Sequence, residues 1–148
     1  MCWRNLSEKW ICRLCSLAVS LTKDRCKQAC YWGQKVWIGT AFIATKECRA
    51  SEKVKQWIVD SAANDLLLFR TEPYYYRSLP TELAKKCFQM SESGASRADI
   101  AKVMNAGTGM RRGMLEGDFD NGYVSVGNGI GAINRIKSVQ ELIDELMN

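Results

Sequence analysis

Between Gly113 and Gly131 the chain places six glycines in nineteen positions, and nothing else in its 148 residues restricts the backbone as much. Glycine is needed where the chain turns through positive φ, or where a second backbone or a flat ligand comes too close for a Cβ. Gly113, Gly117 and Gly122 fit turns of the first kind. Gly127 and Gly131 stand four apart, which on a helix would put both on one face and let a neighbour approach closely. Two readings are open: tight packing in a glycine-rich core, and a pocket in which a ligand reaches the backbone.

The segments around this stretch read as helices with clear ends. Ser51 suits an N-cap for a helix to about Asn64, with Glu52 in its first turn and Val54, Trp57, Ile58 and Ala62 on one face. A helix from about Thr81 to Met90 carries Leu83, Ala84, Cys87 and Phe88, and Ser93-Gly94 breaks it. Ser96 with Asp99 forms an acidic capping box for a helix holding Ile100, Val103 and Met104, closed by Gly107. Ser138 with Glu141 repeats the device for a last helix whose apolar stripe is Val139, Leu142, Ile143 and Leu146. Leu66 to Phe69 fits a strand or a helical turn, and Pro73 to Pro80, with three adjacent tyrosines, reads as extended loop. Val36-Trp37-Ile38 reads as a short buried strand ended by Gly39, with a loop or short helix over Thr40 to Ala44.

Charge and cysteine content narrow the functional classes. The net charge of +5 comes from the front: residues 1–60 hold 11 Lys/Arg against 5 Asp/Glu, and residues 61–148 hold 10 against 11. The cations are scattered among Trp, Cys and Leu without a dense run, so neither a nucleic-acid nor a membrane partner is expected. No apolar stretch reaches the ~18 residues of a membrane helix, and Leu14 to Leu21 is a poor signal-peptide core because Cys15, Ser16 and Ser20 interrupt it. Seven cysteines without a secretory signal point to free thiols and a cytoplasmic location. Cys12 and Cys15, with Cys26 and Cys30, have spacings that superficially match a four-thiolate zinc site, which makes a small zinc-binding or interaction module the alternative.

Two segments carry a family resemblance. Glu116-Gly-Asp-Phe-Asp-Asn-Gly-Tyr-Val-Ser-Val-Gly-Asn-Gly-Ile-Gly131 resembles the E-G-D-x-x-N-G-x-x-x-x-G-Q-x-x-G signature of nitronate monooxygenases and the related enoyl-acyl-carrier-protein reductase II enzymes. Val36-Trp-Ile-Gly-Thr-Ala-Phe-Ile-Ala-Thr-Lys-Glu47 resembles that family's V-x-x-G-T-R-F-x-x-T-x-E segment, which ends a late barrel strand and begins a phosphate-binding turn. The likeness covers 36–148 and implies an α/β fold: a partial TIM-barrel fragment, with a late barrel strand and helices followed by a mostly helical C-terminal section. A complete (β/α)₈ barrel needs roughly 200 residues or more.

The resemblance implies FMN as cofactor, with Gly39 and Thr40 as its phosphate contacts, and oxidation of alkyl nitronates with dioxygen as the reaction of the whole enzymes. Ala41 stands where the family often has Arg, and Asn128 where it often has Gln. The well-studied enzymes use a histidine from an earlier strand, and this chain has none; no catalytic residue is assigned, and the chain is expected to be inactive alone. Exposed barrel edges would favour self-association. Residues 1–35 do not follow the family text, and codons for Tyr31-Trp32-Gly33-Gln34-Lys35, read one frame away, can spell family-like residues. They are therefore expected to be an out-of-frame segment.

Overall fold

The computed structural model describes residues 38–147. The strand expected at Val36–Ile38 therefore lies largely outside the described residues; Ile38 itself is half-buried and in no strand. The described residues begin with helix α1 (Thr40–Ile43), a single turn in which the Gly39 carbonyl accepts from the amides of Phe42 and Ile43. This settles the loop-or-helix alternative for Thr40 to Ala44 in favour of a short helix, which buries Ala41 and Ala44.

Helix α2 (Glu52–Asp60) starts where Ser51 caps it, the hydroxyl accepting from the Val54 amide. It stops four residues short of the expected end at Asn64. The Ser61 hydroxyl donates to the Trp57 carbonyl at 2.7 Å, and residues 63–65 form a separate 3₁₀ turn. Ala62 is consequently exposed rather than part of the apolar face. Lys55 is buried instead, because its amine reaches Glu52 at 2.8 Å and the Lys46 carbonyl at 3.3 Å while its stem lies in the core.

Strands β1 (Leu67–Arg70) and β2 (Tyr75–Ser78) form an antiparallel hairpin, with Leu67 opposite Ser78 and Arg70 opposite Tyr75. The first strand resolves the ambiguity over Leu66 to Phe69. The second corrects the loop expected between the prolines: pairing with β1 supplies Tyr75 to Ser78 with partners that the local sequence does not announce. Alternation puts Phe69 and Ser78 inward and leaves Leu68 and Arg77 facing outward.

Helix α3 (Glu82–Glu92) is capped by Thr81 and α4 (Arg97–Met104) by Ser96. At the latter the box is not reciprocal: the Ser96 hydroxyl accepts from the Asp99 amide and donates to the Asp99 carboxylate at 2.6 Å. Asn105, not Gly107, ends α4 in the left-handed region at φ 42°, and Gly107 falls inside the next helix, α5 (Ala106–Arg111). An asparagine can take that conformation at modest cost. A π turn over Arg112–Glu116, a 3₁₀ turn over Asn128–Ala132 and helix α6 (Val139–Met147) complete the order. Here the capping box is complete, since Ser138 and Glu141 each accept from the other's amide, at 3.1 and 2.6 Å. Glu47, distant in sequence, also takes the Val139 amide. Ile143 departs from the expected buried stripe and is 40% exposed.

Two apolar clusters result. One joins α1, α2 and α6 through Ala41, Val54, Ile58, Val124, Ile130 and Leu142. The other lies between the hairpin and α3–α4 and contains Phe69, Cys87, Ile100, Met104 and Tyr123. Tyr123 and Val124 are adjacent in the chain yet their side chains enter different clusters, so that segment is the seam.

Candidate functional site

The two signature segments meet at one hydrogen bond: the Gly127 amide donates to the Thr40 hydroxyl oxygen at 2.9 Å. Thr40 opens α1 and Gly127 precedes the 3₁₀ turn, so the junction joins the starts of two turns. A hydroxyl that accepts an N–H keeps its own proton to give away. Beside it Gly39 is exposed, and apart from its chain neighbours no atom of the described residues lies within 4 Å of where a Cβ would stand. Among the described residues nothing accepts from the backbone amides of Gly39, Thr40 or Ala41. A one-turn helix has little dipole, so the capacity of this corner to hold an anion rests on those amides and the Thr40 proton.

The glycine-rich stretch holds Gly127 in place, mostly by other means than expected. Only Gly117 has positive φ, at 68°. Gly113 and Gly122 do not, and their need for glycine is closeness: a Cβ on Gly113 would meet the Tyr123 backbone, and one on Gly122 the amide of Gly113. Gly127 and Gly131 are not on one α-helix; Gly127 is extended and Gly131 belongs to the 3₁₀ turn.

Asp118 organises the loop between these glycines. Its carboxylate accepts from the amides of Asn121 at 3.0 Å and Asp120 at 3.1 Å and from the Asn121 side chain. The Asn121 backbone bond is the main reason its carboxyl is held below the usual range. The Asp and Asn of the motif are thus loop-forming residues, a role that Asx-turn chemistry makes legible in sequence.

The segment leading to Gly127 is also tied to the hairpin. Leu79 donates its amide to the Val124 carbonyl at 3.0 Å, and buried Ser78 accepts from the Val124 amide at 3.2 Å while donating to the Leu79 carbonyl. An open groove of about 580 Å³ lies along this junction, lined by Leu68, Tyr75, Tyr76, Arg77, Ser125 and Val126. Its last wall residue immediately precedes Gly127.

Groups elsewhere are poor proton carriers. Burial pushes the Cys87 thiol up to about 11 and raises the Tyr123 phenol, whose hydroxyl donates to the Ala106 carbonyl at 3.0 Å. Among the described residues no cluster of three His, Cys, Asp or Glu could hold a metal ion. Cys12, Cys15, Cys26 and Cys30, on which the zinc alternative rests, lie outside the described residues, as do residues 1–35 as a whole. Among the described residues no helix is long and apolar enough to cross a membrane.

Comparison with known proteins places this geometry. No curated protein matches the chain. Among solved structures, FabK from Thermotoga maritima aligns with a TM-score of 0.72 at 23% identity, over 88% of this chain and 41% of that one. A point mutant of the same protein aligns at 0.59 with 29% identity, over 77% of this chain and 33% of that one. The chain therefore spans well under half the length of these structures, and its hairpin and helices form a section of their barrel fold. The family profile described as nitronate monooxygenase matches residues 29–148, with both signature segments inside the match, and the chain belongs to the nitronate monooxygenase family.

Proposed function

We propose that the chain supplies the flavin-phosphate turn of an FMN-dependent oxidoreductase that oxidises small alkyl nitronates with dioxygen. The observation that carries this reading is the Gly127 to Thr40 bond, because it brings the two family segments together from 87 residues apart. The donor set suits a phosphate: backbone amides at Gly39 and Thr40, a Gly39 that no described residue crowds, and a threonine proton left over after Gly127 is satisfied. When bound, the flavin would carry the electron chemistry, and the protein would contribute position and electrostatics.

On this reading Gly39 and Thr40 hold the phosphate, and the Asp118 loop with Gly113 and Gly122 fixes the segment that buttresses them. The chain has no histidine, so none of its residues can act as an imidazole base. A nitronate arrives already deprotonated and asks this chain for a cation rather than a base. We expect turnover by the chain alone to be at background. The family match reaches back to residue 29, so an out-of-frame origin is proposed only for the residues before it, and the nucleotide sequence upstream of Val36 tests it.

Titrating the full chain with FMN and with riboflavin, followed by flavin fluorescence, tests the phosphate turn. FMN is expected to bind about tenfold or more tightly than riboflavin, as one to two charge-assisted hydrogen bonds would give. Thr40→Val should remove most of that preference, since it deletes the donor and leaves the Gly127 amide unpartnered. Equal affinity for the two flavins would refute the reading.

A further inference from the structure

The hairpin's outer face gathers positive charge around an exposed aromatic ring. Arg70 stands opposite Tyr75 in the register, Arg77 is two residues further on the same face, and the Arg97 guanidinium lies 5.9 Å from the Tyr75 ring centre. Tyr75 is 57% exposed and Leu68, opposite Arg77, is 46% exposed. Among the described residues no ion pair engages any of the three arginines, although Arg111 and Arg135 on other surfaces are paired. Of the three, only Arg77 lines the groove that runs beside Val126, one residue from Gly127.

We infer that this groove is a binding site for a small planar organic monoanion with a short apolar body, and that Arg77 is the residue that recognises its charge. The inference rests on the flavin reading above for its place in a reaction, because the groove wall ends at Val126, the residue before Gly127. The chemistry is local. A guanidinium presents two parallel N–H donors that match a planar two-oxygen anion, whether a nitronate or a carboxylate. Leu68, Val126 and the Tyr75 ring offer apolar surface for the rest of the molecule. Arg70 and Arg97 raise the local potential without entering the groove. The chain's own residues 1–37 are a poor occupant, since they carry seven Lys/Arg against two Asp/Glu and would be repelled.

The probes are propan-2-nitronate and isobutyrate, its redox-silent carboxylate counterpart, with neutral isobutyramide as the uncharged control. Binding to the full chain is read by calorimetry and by the tyrosine resonances in NMR. Both anions are expected to bind within about threefold of each other and isobutyramide at least tenfold more weakly, because the site reads a planar charge. Arg77→Met should weaken both anions at least tenfold, and Arg77→Lys should recover part of the loss, because it keeps the charge and loses the fork. Arg111→Met, which removes an exposed cation that does not line the groove, should leave binding unchanged. Arg77 is exposed, so circular dichroism of each variant should match the parent.

Undiminished anion binding by Arg77→Met, or isobutyramide binding as well as isobutyrate, would overturn the inference. The flavin reading fails separately: it is judged by FMN against riboflavin, whereas isobutyrate binding needs no flavin.

Discussion

The core that holds the Thr40–Gly127 junction joins two capped helices to small residues and irregular turns, whereas the core under the hairpin is built from capped helices and the hairpin alone. The first depends on Ala41, Ala44 and Ala50 fitting against Val54 and Ile58, with the 3₁₀ turn over Asn128–Ala132 laid across them. The second stacks Phe69, Cys87, Ile100 and Met104 around Tyr123, whose ring meets Tyr76 edge-on at 5.9 Å. The irregular turns at the Thr40–Gly127 junction leave backbone amides near the surface, where an anion can use them; at the helix starts under the hairpin, Thr81 and Ser96 each already hold an amide. The candidate phosphate corner accordingly lies in the irregular half.

If Tyr123–Val124 is the seam between the halves, a change there should damage both, and a change at the open corner should damage neither core. The largest effect is expected from Gly113→Ala, whose new Cβ would collide with Tyr123 backbone that no rotamer change can clear. We expect a loss of about 3 kcal/mol or more in chemical unfolding, with FMN affinity falling as well. Gly39→Ala is the counterpart: its φ of −117° suits any residue and no described residue crowds it, so stability should change by less than ~0.5 kcal/mol. Equal effects of the two substitutions would break the comparison.

A smaller effect should come from Tyr123→Phe. This keeps the ring in the helical core and deletes only the hydroxyl bond to Ala106, leaving that carbonyl without this donor. A cost of about 1 kcal/mol is expected, with FMN binding unchanged because Val124 still pairs with Leu79 and Ser78.

Acid should act on the other half, through α6. The Glu141 carboxyl is lowered from 4.5 to about 2, chiefly by the Ser138 amide and then by Arg135. A carboxylate with a depressed folded value contributes stability that is complete above its unfolded value and disappears as pH falls through the folded one. The melting temperature should therefore decline between about pH 4.5 and pH 2, and Glu141→Gln should flatten that decline. Glu145, lowered mainly by its bond to Lys137, acts in the same direction.

Much of the helical framework, in both halves, was legible in sequence because caps are local. Ser51, Thr81, Ser96 and Ser138 each sit beside the amides they satisfy, so a few residues of text suffice. What was not legible depends on distant partners. Strand β2 exists because β1 pairs with it, and Gly113 and Gly122 are small because the chain folds back on itself. Neither fact has a local signature distinct from that of a loop or a positive-φ turn. Asn105 took the end of α4 from Gly107 because the two are nearly equivalent enders of a helix. The Thr40–Gly127 contact could be anticipated only through the family resemblance, since nothing between those positions encodes it.

The most direct test of the phosphate corner is a ¹⁵N-resolved NMR titration of the full chain with FMN, using riboflavin as the control. The amides of Gly39, Thr40 and Gly127 should shift first and furthest with FMN and remain near their starting positions with riboflavin. Shifts confined to other residues, or the same shifts with both flavins, would contradict the assignment of Gly39 and Thr40 as phosphate contacts.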